Sequence, residues 1–228
     1  MSFQTPRLSF TPVTLSDKVA LQELRTAPEV MKWSRQKHPD TCLQDTENWI
    51  RMLTDDPLPD PVVQKDDGAG DSKPAPGTGN GKKGVVFAVR ELEHLNALKE
   101  GKTKANVEEQ GDRIVAIVGA REAEAEFSTS KKMQYEIGYM FVTGVWGKGY
   151  ASESVKGFVG WWFGYVASWG DSSEGEEEVD RNGLYAVVAK ANRASLRVME
   201  KVGFRKTAEG LDGDGSGTEL VEFCIMSG

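Results

Sequence analysis

EIGYMFVTGVWGKGYASES, Glu136 to Ser154, reads as a strand that ends in a glycine-bearing turn and opens a helix. Gln134 to Val142 is apolar and aromatic enough for a buried strand, with Gly138 placed for a bulge. Beyond the turn, Ala151, Val155, Phe158, Val159, Trp162 and Val166 fall on one broad helical face. The turn itself holds Gly147 and Gly149 around Lys148. A helix that opens in this way leaves its first backbone N–H groups without partners, and its dipole adds positive potential there. Such a site suits a pyrophosphate, and glycines keep Cβ atoms out of its way. The motif alone equally describes an ordinary tight strand-to-helix connection. A dinucleotide fold would continue it to a third glycine where Ser152 stands, and the P-loop pattern is missing.

Outward from this unit, the chain alternates strands and helices. Arg7 to Val13 alternates as a strand should, and Ser16 and Asp17 open a helical pattern through Leu21 and Leu24. Pro28 begins a short helix to Trp33, and Asp45 or Thr46 caps another that carries Trp49, Ile50 and Leu53. Val85–Val89, Ile114–Val118 and Leu184–Val188 read as strands, Glu91–Lys99 as weakly helical, and Phe204–Ala208 and Glu219–Ile225 as two closing strands. From Asp55 to Gly84 stand five of the nine prolines and six glycines, with almost no apolar anchors. Residues 56–84, 100–112 and 169–182 are expected to be solvated or disordered inserts in a single domain spanning 1–228.

A second motif is Asn192-Arg-Ala-Ser195, followed by Glu200-Lys-Val-Gly-Phe204. Asn192 is a good N-cap, Ser195 can face the same cleft three residues on, and Gly203 ends the helix. Plain helix capping explains Asn192 equally well.

Together these segments resemble the GNAT superfamily, and within it the N-acetyltransferases of ribosomal-protein N-termini. Gly147-Lys148-Gly149-Tyr150-Ala151-Ser152-Glu153 is similar to that family's acetyl-CoA pyrophosphate loop, and Asn192-x-x-Ser195 with Glu200–Phe204 to its second cofactor motif. Thr5-Pro-Arg-Leu8 with Ser16-Asp17 resembles its opening, and Glu136-Ile-Gly-Tyr139 its central strand. The likeness covers nearly the whole chain outside the inserts. It departs at Gly144, where the superfamily loop carries Gln or Arg.

The resemblance implies an α/β (α+β) fold. Its mixed, mostly antiparallel sheet would have about seven strands, splayed between the fourth and fifth, with helices on both faces. It also implies acetyl transfer from acetyl-CoA to a primary amine, either a protein N-terminus or a small molecule, by direct attack on the thioester. Carried over by residue, Trp146, Gly147, Lys148, Gly149, Tyr150, Ala151 and Ser152 would hold the cofactor's phosphates. Pantetheine would bond the backbone of Phe141 and Val142 and the side chain of Asn192. Glu136 is the candidate base and Ser195 the candidate acid, with Tyr139 and Tyr150 as alternative acids. Glu153 receives no catalytic role, because a carboxylate is favoured in a first helical turn in any case. An acyl-CoA-binding module without catalysis would keep the same glycines.

Composition narrows the partners. A net charge of −7 argues against nucleic acid and suits a cationic acceptor, although solubility alone also explains it. No apolar run approaches the ~20 residues of a membrane span. No secretory pattern opens the chain, and Cys42 and Cys224 are far apart in sequence. A cytoplasmic monomer or homodimer is expected. Asp212-Gly-Asp214-Gly-Ser216-Gly217 mimics a calcium loop, but its twelfth position is Phe223 and strands flank it, so a hairpin loop is expected. His38 and His94 stand in unrelated contexts, and no metal is expected.

Overall fold

The computed structural model describes residues 1–54, 84–92, 113–128, 133–168 and 179–228. Thirteen elements follow in chain order: β1 (Phe3–Gln4), β2 (Leu8–Pro12), α1 (Lys18–Arg25), α2 (Pro28–Met31), α3 (Leu43–Thr54), β3 (Gly84–Glu91), β4 (Ala116–Glu124), β5 (Met133–Phe141), α4 (Tyr150–Ala167), β6 (Asp180–Ala189), α5 (Arg193–Val202), β7 (Arg205–Leu211) and β8 (Glu219–Met226). The strands form one sheet in the order β1-β2-β3-β4-β5-β6-β8-β7. Every pairing is antiparallel except β5 with β6.

Among the described residues the sheet has eight strands rather than about seven. The additional β1 is two residues long, too short for any alternation to show. Aromatic packing holds it: Phe3 stacks on Phe10 at 4.2 Å and on Trp161 at 5.7 Å. Gly138 is no bulge, since it pairs with Gly119 in an unbroken β4–β5 ladder. The irregular step lies instead between Gln134 and Tyr135, on the β6 side. The expected insert at 169–182 ends early, because Asp180 already belongs to β6. Gly84, the last residue of the expected 56–84 insert, opens β3. Glu91, the first residue of the expected 91–99 helix, closes β3 instead. Residues 93–99 of that helix, all of 100–112, and the rest of the other two inserts apart from Val179–Asn182 lie outside the described residues.

Alternation along the strands assigns the two faces. Phe87 and Tyr135 meet Phe158, Trp161 and Trp162 of α4, which sets α4 on one face of the sheet. Arg90, on the opposite face of β3, donates to Asp17 Oδ1 at the start of α1 at 2.7 Å. Asp17 also accepts from the Thr14 N–H, so Thr14 stands at the helix entrance and Asp17 lies within a preceding 3₁₀ turn. At α3, Asp45 accepts from the N–H groups of Thr41 and Cys42. Thr46 is instead fully buried and donates to Asp40.

β5 pairs with β6 only at Gln134–Asp180, Tyr135–Leu184 and Glu136–Tyr185. Beyond that point β6 continues beside β8, while β5 runs on to Phe141 beside β4. The sheet is therefore split between β5 and β6, the fourth and fifth of the strands expected from sequence.

Candidate functional site

At the end of β5 a 3₁₀ turn, Thr143–Val145, leads through Trp146 into the glycine turn and α4. Gly147 and Gly149 have φ of 76° and 81°. In this left-handed region any Cβ is strained. No atom lies within 4 Å of where a Gly147 Cβ would stand. Gly149 is the N-cap and carries no side chain to satisfy the helix, whose first internal bond is Glu153 N–H to the Gly149 carbonyl. Among the described residues, the N–H groups of Tyr150, Ala151 and Ser152 find no protein acceptor. Lys148 is exposed beside them. Open space, free N–H groups and a helix N-terminus fit a pyrophosphate.

The turn is braced from the N-terminus of the chain. Glu153 Oε1 accepts from Thr5 Oγ1 at 2.7 Å and from the Arg7 N–H at 2.9 Å. Its Oε2 accepts from Arg7 Nε at 2.6 Å. Arg7 Nη1 then donates to the Lys148 carbonyl at 3.1 Å, and the guanidinium lies 4.4 Å over the Tyr150 ring. Burial opposes ionisation of Glu153, but Thr5 and Arg7 outweigh it and hold the carboxyl below its ordinary range. Sequence reasoning missed this role for Arg7 and Glu153, since no local pattern links residues 146 apart. At Gly144, the guanidinium of Arg113 lies 3.7 Å from where a side chain would begin, held by two bonds to Glu23 at 3.0 and 2.6 Å.

The split has its own polar lining. The Val142 N–H donates to the Val115 carbonyl on the β4 side. Backbone groups alternate sides along the strand, so those of the intervening residues Phe141 and Tyr139 face the split. The Phe141 carbonyl accepts from Trp146 Nε1 at 2.9 Å, which leaves its N–H. Val142 has no such freedom, because its carbonyl also accepts from the Val145 N–H. Tyr139 Oη and Ser195 Oγ lie 2.7 Å apart. Asn192 Oδ1 accepts from the Ser195 N–H at 3.1 Å, so that oxygen caps α5 and the Asn192 amide nitrogen remains for a ligand. Burial pushes the Tyr139 phenol up to about 12, partly countered by Ser195.

This geometry has a family. Residues 7–205 match the model of the acetyltransferase (GNAT) domain. The chain belongs to the GNAT acetyltransferase family. Solved structures with the same fold include a GNAT-family acetyltransferase from Bacillus anthracis, at 18% identity and TM-score 0.62 over 99% of this chain and 98% of that one. The ribosomal-protein-S5-alanine acetyltransferase of Vibrio fischeri aligns at 13% identity and TM-score 0.57, over 99% and 96%. The spermidine N-acetyltransferase of Vibrio cholerae, solved with CoA and spermine, aligns at 11% identity and TM-score 0.60, over 97% and 96%. No curated protein matches the sequence significantly.

In this GNAT chain the two candidate catalytic residues stand on opposite faces of β5. Tyr139 meets Ser195 of α5. Glu136, an odd number of residues away, faces the side of α1 and accepts from Arg35 Nη2 at 2.8 Å through Oε2. The second alternative acid, Tyr150, lies on the α4 side of the glycine turn, and a hydrogen bond to Glu91 pushes its phenol up. The loop between α2 and α3 carries Arg35 and is fixed from beneath. Arg25, 2% exposed, bonds Asp40 at 2.9 and 2.6 Å and Gln36 at 2.6 Å. The same loop reaches the β7–β8 hairpin, where Lys37 pairs with Asp212 and Asp214. Those aspartates thus serve an ion pair in a hairpin loop. Among the described residues no group of His, Cys, Asp and Glu could hold a metal ion, and no helix is long and apolar enough to cross a membrane.

Proposed function

We propose that the protein moves the acetyl group of acetyl-CoA to a primary amine. The observation that carries this reading is a split in the sheet with a glycine turn of free N–H groups at the end of β5 and a half-buried Tyr139–Ser195 hydroxyl pair on the α4 face of the same strand. Acetyl-CoA supplies an activated acyl thioester. The cradle of Gly147–Ser152 suits its pyrophosphate, and the free N–H groups of Tyr139 and Phe141 suit a strand-like pantetheine arm. The amine nitrogen attacks the thioester carbonyl directly. As the C–N bond forms and the C–S bond breaks, one proton leaves the amine and one reaches the departing sulfur. Glu136 takes the first, directly or through a water, from the acceptor face. Ser195, backed by Tyr139, gives the second from the cofactor face.

The resemblance to ribosomal-protein N-acetyltransferases supports a protein N-terminus as acceptor, and a small-molecule amine is the other member of the class. One observation favours a silent acyl-CoA-binding module instead: Glu136 is already paired with Arg35.

Acetyl-CoA should raise the melting temperature by mass action, and Gly149→Glu, which puts a bulky anion in the cradle, should abolish that shift. An undiminished shift would reject the cradle. CoA release with an amine panel then separates enzyme from module. Glu136→Gln should cost roughly 100-fold or more in turnover while cofactor affinity stays. Full activity in that variant would remove Glu136 from the mechanism.

A further inference from the structure

A row of paired residues crosses the sheet on the α1 face: Gly84, Arg121, Glu136 and Tyr185 on β3, β4, β5 and β6. Arg121 is half-buried in that row, and among the described residues its guanidinium bonds no carboxylate or carbonyl. Arg35 stands over the same carboxylate, Glu136, with its side chain 63% exposed. Glu136 is thus bonded by Arg35 alone, and Arg121, its cross-strand neighbour, feels that carboxylate only through space. Burial first, and then Arg35, make the charged form of Arg121 less favourable than usual. An arginine stays protonated in any protein, and five N–H donors that lose water without gaining an acceptor are costly. An arriving anion satisfies both guanidiniums.

What lies next to Arg121 shows where such an anion belongs. Two residues along β5 on the same face is Gly138, beside the end of the β5–β6 pairing. No atom lies within 4 Å of where its Cβ would be. Its partner Gly119 is bare for a different reason: a Cβ there would meet the Val85 carbonyl at 2.4 Å. Gly138 therefore leaves open backbone between the arginines and the split, on the face from which the amine attacks in the reading above.

We propose that Arg121 and Arg35 form an anion-binding subsite on the acceptor side, and that the acceptor is a primary amine carrying a carboxylate. The inference rests on the acetyl-transfer reading above. Two residues of strand separate the arginine row from Gly138, so amine and carboxylate stand roughly 7 Å or more apart. An ω-amino acid meets that requirement, and so does a peptide N-terminus with Asp or Glu in its second position. The net charge of −7 gives no long-range attraction for such a ligand, so the preference is local, set by two side chains.

The test uses the full chain with acetyl-CoA and three matched acceptors: 5-aminopentanoate, pentylamine and 1,5-diaminopentane. Peptides beginning Ala-Asp, Ala-Asn and Ala-Lys form the second arm and separate a free amino acid from a protein N-terminus. Turnover is read as CoA release, and affinity by titrating the same compounds into the CoA-bound protein. The carboxylate-bearing member of one arm should be preferred roughly 10- to 100-fold in kcat/KM, mostly through KM. Arg121→Gln should erase that preference and Arg121→Lys should restore part of it, with Arg35→Gln as the variant to read if both disturb folding. The proposal falls if the neutral or dicationic analogue is used as well as the carboxylate, or if Arg121→Gln keeps the preference. If no amine is turned over, acetyl transfer fails. The titration then still decides the subsite, because carboxylate-selective binding lost in Arg121→Gln supports it and unselective or absent binding rejects it.

Discussion

Replacing Glu153 by alanine cuts the link between the N-terminus of the chain and the glycine turn. The carboxylate accepts three hydrogen bonds, from Thr5 Oγ1, the Arg7 N–H and Arg7 Nε. The Arg7 side chain is 46% exposed, so its ion pair is worth about 0–1 kcal/mol. The other two bonds reach a partly buried charged acceptor and are worth about 1–1.5 kcal/mol each after solvent screening. The sum is roughly 2–4 kcal/mol, which at 2–4 °C per kcal/mol for a chain of this size lowers the melting temperature by roughly 5–15 °C. The functional cost comes through Arg7, which loses its orientation and with it the bond to the Lys148 carbonyl. Acetyl-CoA affinity, read by titration calorimetry, should fall about 10-fold, the equivalent of 1.4 kcal/mol. The pH dependence has a definite sign. The folded carboxyl is held below its ordinary range, so the stabilisation is complete above the unfolded value of about 4.3. It is lost as pH falls through the folded value, so the gap between wild type and variant should narrow only on strong acidification. A lower melting temperature with unchanged affinity would show that Arg7 does not shape the cradle. No change in either would refute the latch.

Asp40→Ala leaves Arg25 buried without its carboxylate and should cost about 3–5 kcal/mol in urea unfolding, whereas replacing Arg25 and Asp40 together by apolar residues should recover much of that loss; a single-variant cost below about 1 kcal/mol would contradict the buried pair. Tyr139→Phe should lower turnover roughly 10- to 100-fold with little change in acetyl-CoA affinity, read by steady-state kinetics and calorimetry. Because the wild-type phenol is pushed up to about 12, its proton stays in place through pH 10, and an alkaline limb below that pH would have to come from another group.

The elements that sequence made legible are those whose own side chains define them. The α4 stripe through Val155, Phe158, Trp162 and Val166 is buried because it repeats at helical spacing over about three turns. The central strands are near-continuous apolar runs, and Gly147 and Gly149 sit at a strand-to-helix junction that any strand-turn-helix reading would find. Features created by pairing stayed hidden. β1 exists through Phe3 packing on Phe10 and Trp161. Gly138 looks like a bulge in isolation and becomes a bare patch only when Gly119 is laid opposite it. The Arg7–Glu153 latch and the Lys37 bridge to Asp212 and Asp214 join the first sixth of the chain to its later parts, and charge alone does not name a partner among 63 ionised side chains, the 28 basic and 35 acidic residues.

The placement of acid and base follows from the same alternation that builds the sheet. An extended chain sends successive side chains to opposite faces, so residues an odd number apart cannot share one. Glu136 and Tyr139 are such a pair, and their contacts agree: Arg35 on the α1 face, Ser195 on the α4 face. A single strand at the edge of the split can thus offer a proton acceptor to an amine on one side and a proton donor to a leaving sulfur on the other, with no group serving both. Sequence reasoning selected Glu136 and Ser195 one at a time; the division of labour proposed for them rests on the parity of β5 set against the two layers of helices. It also fixes where acceptor specificity must be sought. Changes on the Tyr139 face act on the cofactor side of the reaction. On the proposed reading, changes at Arg35, Arg121 and Gly138 act on the amine, and the two sets should separate as effects on acetyl-CoA affinity and on acceptor KM.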